Sequence, residues 1–103
     1  MPSVSLVIAA YNEAESLAAV FQRGLKVLQD CADDYEVLIL DDGSTDDTRA
    51  VAHALRDEHA GFVRVLEHDQ NQGIRVTFEE LYHGAAKDYV FDVPGDGEFP
   101  PEV

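Results

Sequence analysis

The stretch EVLILDDGSTDDT, residues 36–48, decides how this chain folds. Its first part, residues 36–40, is a short apolar run with β-branched members, the pattern of a strand buried on both faces. Its second part, residues 41–45, is acidic and hydroxyl-bearing around Gly43, the pattern of a turn that leads into a helix. That helix carries Val51, Ala52, Ala54 and Leu55 as its apolar positions. Strand, turn and helix in succession make the repeating unit of a parallel sheet.

Outward from residues 36–48 the unit recurs. Residues 4–10 (VSLVIAA) form a buried strand between Pro2 and Asn12. Asn12 reads as a helix N-cap with Glu15 three residues later, and Leu17, Val20, Phe21, Leu25 and Leu28 then share one face at a period near 3.6. Residues 62–66 (FVRVL) give a third strand, and residues 74–86 a third helix with Phe78, Leu81, Tyr82 and Ala85 inward. Residues 89–93 (YVFDV) give a fourth strand. The order βαβαβαβ predicts an α/β fold: three layers, α/β/α, around a mostly parallel sheet with right-handed crossovers, Rossmann-like in plan. In such sheets ligands bind outside the carboxyl ends of the strands, where the strand order reverses.

The chain has 103 residues, which sets the expectation of one domain over residues 1–103. Seven basic against 21 acidic residues give a net charge of −14, which argues against nucleic acid or an anionic lipid surface as partner. Clustered carboxylates suit a cation instead, while the acids outside the motifs solvate the surface. The single cysteine, Cys31, excludes an internal disulfide, reads as a semi-buried filler at a helix end, and fits the reducing cytoplasm. No apolar run approaches the roughly 20 residues of a membrane span. His53, His59, His68 and His83 have no metal-binding spacing and read as surface or capping residues, His68 in a loop.

Three polar clusters follow strand ends: Tyr11-Asn12-Glu13, Asp41-Asp42-Gly43-Ser44 and Pro94-Gly95-Asp96-Gly97-Glu98. Capping and turn formation account for either of the first two alone. In the third, Asp96 and Glu98 alternate about Gly97 just past a strand. Flanking glycines there admit a diphosphate, and two carboxylates reach one hard cation.

The runs VIAAYNEAESL, EVLILDDGSTDDT, NQG and DYVFDVPGDGEFPPE together resemble the inverting family 2 glycosyltransferases of GT-A fold. Within them the polyprenyl-phosphate and dolichol-phosphate mannosyl- and glucosyltransferases are the most similar group. The resemblance spans the chain and implies roles residue by residue. Tyr11 and Glu13 line the nucleotide, with the tyrosine near the base; Asp42, helped by Asp41, hydrogen-bonds base or ribose. Asn71 and Gly73 shape the donor site, and Arg75 just beyond is a further candidate for a phosphate contact. Asp96 matches the second acid of the family's D-x-D motif, which holds Mg²⁺ or Mn²⁺ against the donor diphosphate, and Glu98 takes the place of a further polar ligand. The implied donor is a GDP- or UDP-sugar and the implied acceptor a polyprenyl phosphate.

Two positions depart from the family pattern. Ala9 stands where a proline is usual, and Pro94 replaces the first D-x-D acid, which Asp92, two residues earlier in the strand, replaces poorly. The family also continues well past the equivalent of Val103, so the chain is expected to be the donor-binding front part of a longer enzyme. Its catalytic residues and any membrane helices are expected further on, with the site at the cytoplasmic membrane face. Two other classes compete. One is a non-catalytic nucleotide-binding module of the same fold. The other is a phosphoacceptor receiver domain, whose acidic pair follows the first strand rather than the second.

Overall fold

The central strands are apolar on both faces, and that property orders everything around them. In the computed structural model, which describes residues 3–59 and 61–94, the elements run β1 (Ser3–Ala10), α1 (Leu17–Cys31), β2 (Asp34–Asp42), α2 (Thr48–Glu58), β3 (Val63–His68), α3 (Ile74–Gly84) and β4 (Tyr89–Pro94). All pairings are parallel and the sheet order is β3-β2-β1-β4. The order reverses at β1, since β2 and β3 extend to one side of it and β4 returns to the other.

Alternation along the strands sends successive side chains to opposite layers. Leu6, Ile8, Val37 and Ile39 pack with Leu17, Phe21, Leu25 and Leu28 of α1 and with Ala52 and Leu55 of α2. Val7, Ala9, Leu38 and Leu40 pack on the other face with Leu81 of α3. The three-layer α/β/α plan expected from the pattern is therefore observed, with the larger core on the α1/α2 side.

Several local expectations shift. The helix face of α2 is set by Thr48, Ala52 and Leu55, so Ala54, about 200° round from Ala52 at 100° per residue, is exposed. On α3 the buried line is Thr77 and Leu81, with Gly84 brought up to Leu38, where an added Cβ would lie 3.1 Å from Leu38 Cδ2. That rotation turns Tyr82 outward to 48% exposure, its hydroxyl bonded to Asp92. Cys31, at the last position of α1, is exposed rather than semi-buried. Phe62 precedes β3 and packs edge-on against Tyr35, ring centroids 5.3 Å apart. Asp41 and Asp42 belong to β2 itself, not to the turn.

At the amino end of the sheet one buried carboxylate ties four segments together. Glu36 accepts hydrogen bonds from Ser5 Oγ (2.6 Å), Ala86 N (2.7 Å) and Arg64 Nη2 (2.8 Å), linking β2 to β1, to the α3–β4 loop and to β3. Burial favours the neutral acid, but the bonds from Ser5, Ala86 and Arg64 outweigh it and hold the Glu36 carboxyl below its ordinary range. Glu36→Ala strands the Ala86 amide and the Ser5 hydroxyl. It should lower the free energy of unfolding by about 2–4 kcal/mol, read from urea denaturation at neutral pH.

Candidate functional site

The register of β1 on β2 pairs Ala10 with Asp41, so the two strands end level and the segments that follow meet at one edge of the sheet. Asn12 joins them. It adopts a left-handed backbone (φ 53°), which asparagine tolerates better than most residues. Its Oδ1 accepts from Thr45 N (2.8 Å) and Asp46 N (3.3 Å), while its own N–H donates to Ser44 Oγ (2.9 Å). Glu13 N donates to Thr48 Oγ1 (2.8 Å). Asn12 is therefore a clasp between two loops rather than the cap of α1. That helix starts at Leu17, with Ser16 at the cap position and the Glu13 carbonyl accepting from the Ser16 and Leu17 amides (3.1 and 2.9 Å).

The two acids of the Asp41-Asp42 pair point to opposite faces. Asp41, fully buried, accepts from Ser44 N (3.2 Å) and from Arg49 Nε of α2 (2.8 Å). The same arginine donates to the His68 carbonyl (2.7 Å). Asp42, 4% exposed, faces the α3 side and takes four donors. His68 Nδ1 (2.7 Å) and Gln72 N (2.8 Å) meet Oδ1; Gly73 N (3.0 Å) and Asn71 Nδ2 (3.0 Å) meet Oδ2. One carboxylate thus folds the 71–73 loop back over the end of β2. Gly43 is left-handed (φ 73°), and a Cβ on it would collide with the backbone of Gln70 and Asn71, so the loop closes down on a position that only glycine fills.

His68, expected in a loop, is instead the last residue of β3, 6% exposed, and directly beside Asp42 in register. Its Nε2 lies 2.7 Å from Glu80 Oε2 of α3, so the ring bridges two carboxylates. Burial disfavours the imidazolium, but the bonds to Asp42 and Glu80 and their charges outweigh it, and the His68 pKa is raised. For Asp42 burial likewise opposes ionisation, and the donors His68, Gln72 and Gly73 overcome it, so its pKa is lowered.

Between the ends of β1 and β2 and the first turn of α3 lies a cleft of about 340 Å³. Ala9, Ala10, Tyr11 and Glu13 border it from β1 and the loop beyond, Asp42 from β2, and Asn71, Gly73, Ile74 and Thr77 from the α3 side. Five residues named from the sequence, Tyr11, Glu13, Asp42, Asn71 and Gly73, are thereby brought to one cavity. Asp41 lies on the other face with Arg49. Arg75 is 88% exposed and 4.0 Å from Glu79, one turn on. Asp96 and Glu98 lie outside the described residues. Among the described residues no group of three His, Cys, Asp or Glu side chains is placed to hold a metal ion. His68, Arg49 and Thr77 were missed, although counting the strand from residue 63 puts His68 level with Asp42.

Residues 5–103 match the family described as Glycosyl transferase family 2, and the chain belongs to that family. Among similar curated proteins are the undecaprenyl-phosphate 4-deoxy-4-formamido-L-arabinose transferases of Sodalis glossinidius and Serratia proteamaculans, 31% and 29% identical over 99 residues. Those alignments cover 96% of this chain and 30% of each relative, so the chain spans less than a third of their length. The fold is that of a Pyrobaculum calidifontis mannosyltransferase solved with GDP-Man and Mn²⁺ (TM-score 0.83, 20% identity, 98% of this chain and 29% of that one). It is also that of Mycobacterium tuberculosis glucosyl-3-phosphoglycerate synthase solved with Mn²⁺ and UDP (TM-score 0.69, 25% identity, 91% and 33%). The GT-A expectation is met.

The His68–Asp42 pair makes stability depend on pH in both directions. A raised histidine pKa contributes stability that is complete below the unfolded value of about 6.5 and lost as pH rises through the folded value. A lowered aspartate pKa contributes stability that is complete above about 3.9 and lost as pH falls through the folded value. Urea midpoints measured from acid to alkaline pH should therefore fall at both ends, with His68→Asn flattening the alkaline limb and Asp42→Asn the acid limb. Gly43→Ala should destabilise by about 1–3 kcal/mol in thermal unfolding, because backbone strain and the clash with the 70–71 backbone add.

Proposed function

We propose that this chain is the donor-binding part of an inverting glycosyltransferase that takes a GDP- or UDP-sugar with Mg²⁺ or Mn²⁺ and passes the sugar to a polyprenyl phosphate at the cytoplasmic membrane face. The observation that carries this reading is the cleft at the carboxyl ends of β1 and β2, where Tyr11, Glu13, Asp42, Asn71 and Gly73 converge. Parallel sheets bind ligands at that edge, and the curated relatives named above are undecaprenyl-phosphate sugar transferases.

Each residue has a physical role in the proposal. The Tyr11 ring, 42% exposed, offers an apolar face to the base, and Glu13 faces the nucleoside. Asp42 acts chiefly by holding the Asn71 to Gly73 loop in place, because its oxygens already carry four donors, and Asp41 acts through Arg49 rather than on the donor. Arg75, whose side chain is largely in solvent, is available to a phosphate. Asp41 and Asp42 are committed to protein donors, and Asp96 and Glu98, by their resemblance to the family's metal motif, are the residues that would hold the cation. A divalent ion there would offset the charge that develops on the departing nucleoside diphosphate. A polyprenyl phosphate supplies its own attacking oxygen, so no nucleophile is required of these residues. No helix among the described residues is long and apolar enough to cross a membrane, so attachment to one would come from elsewhere.

Calorimetric titration with UDP- and GDP-sugars, with and without Mn²⁺, tests the reading. One nucleotide sugar should bind more tightly with the metal, Asp96→Ala should remove the metal-dependent part, and Tyr11→Ala should weaken binding by up to about ten-fold. Binding that ignores Mn²⁺ would instead favour a non-catalytic nucleotide-binding module. No binding of any nucleotide sugar would overturn both.

A further inference from the structure

Thr77 sits one turn into α3 at 1% exposure, and its hydroxyl is unpaired among the described residues. Its N–H is bonded to the Gly73 carbonyl at 3.1 Å, but Oγ1 has no hydrogen-bond partner among the described residues. Leaving a buried hydroxyl unpaired is unfavourable, and valine would fill the same shape without that penalty. The other unpaired buried side-chain group among the described residues, His59 Nε2, belongs to a ring that packs against Phe21 and Phe62 in the opposite layer. Thr77 instead borders the donor cleft.

The surroundings say what such a hydroxyl would meet. Ala9, Ala10, Ile74 and the Tyr11 ring give the cleft apolar walls. Asp42, its buried carboxylate, already takes two donors on each oxygen and has no lone-pair direction left for a ligand. A slot with apolar walls and an unmatched hydroxyl suits a flat heteroaromatic ring, whose faces are apolar and whose edge carries donors and acceptors. It suits a sugar or a diphosphate poorly, since these need polar partners on every side.

We propose that the Thr77 side chain, by turning about its Cα–Cβ bond, brings this hydroxyl to the edge of the donor's nucleobase while the Tyr11 ring covers its face, an assignment that rests on the cleft being the donor site. Held at one place on α3, Oγ1 is paired only by a base that sets a donor or acceptor opposite it, and a base that sets none there leaves it unpaired. The residue is thereby a specificity determinant for the base and takes no part in the transfer step.

The test is calorimetry of the 103-residue chain with UDP and with GDP, for the wild type, Thr77→Val and Thr77→Ser. Thr77→Val should weaken the preferred nucleotide roughly ten-fold and narrow the preference between the two, whereas Thr77→Ser should stay within about three-fold of wild type. The melting temperature of Thr77→Val should be unchanged or higher, because an unpaired hydroxyl is removed. Should the valine variant fail to fold, Thr77→Ala, smaller and equally without a hydroxyl, gives the same comparison. Wild-type affinity in the hydroxyl-free variant overturns the role of Thr77 and leaves the donor cleft standing. An equal loss for both nucleotides moves the hydroxyl to the ribose or diphosphate and overturns base reading. No binding of either nucleotide to the wild type overturns the donor cleft and this assignment together.

Discussion

The Asp42 carboxylate, with four donors on two oxygens, is the constraint from which the arrangement at the carboxyl edge of the sheet follows. A carboxylate at 4% exposure is tolerable only when its charge is met, and here it is met by a raised-pKa histidine, two backbone amides and an asparagine side chain. Satisfying it draws the 71–73 loop down onto the end of β2, and Gly43 makes room beneath. The start of α3 is fixed in the same stroke, because Gly73, one of the donors, is its N-cap residue. Cleft shape and charge balance are therefore one fact rather than two.

That local solution is possible because the sheet beneath it is rigid. β1 and β2 are buried on both faces, between α1 and α2 on one side and α3 on the other, so their register cannot slip without exposing a full set of apolar side chains. Level strand ends bring Asn12 against Thr45 and Asp46 and pair Asp42 with His68. The reversal of strand order at β1 leaves an open edge where a ligand can enter. Glu36 serves the opposite end, joining the amino ends of the strands through Ser5, Arg64 and Ala86. Glu36 and Asp42, at the two ends, thus divide the work, one holding the sheet and the other shaping the cleft.

Much of this was legible in the chain. Each strand and helix was found to within a few residues, because a buried parallel strand and an amphipathic helix leave different periods in the sequence. Tyr11, Glu13 and Asp42 stand out because polar residues at the ends of buried strands have few other places to go, Asn71 and Gly73 only through the family resemblance, and the fold brings all five to one cleft. The misses share a cause. Tyr82 and Ala54 depend on how far a helix rotates on the sheet, which close contacts such as Gly84 against Leu38 decide. Asn12 has the residue type of a cap and the location of a clasp, and only the facing loop distinguishes them.

The sequence by itself determined the βαβαβαβ order and the strand ends that carry the polar motifs, since both follow from spacing along one chain, and its motifs carried the resemblance to the family. Only the tertiary structure decided that Asp41 and Asp42 part company, that His68 is buried between Asp42 and Glu80, and that Thr77, beside the cleft, has a buried hydroxyl with no partner among the described residues. The physical reason is that hydrogen-bond saturation is a property of neighbours 8 to 31 residues away in the chain, such as Arg49 for Asp41 and Gly73 for Asp42, which sequence spacing alone does not report.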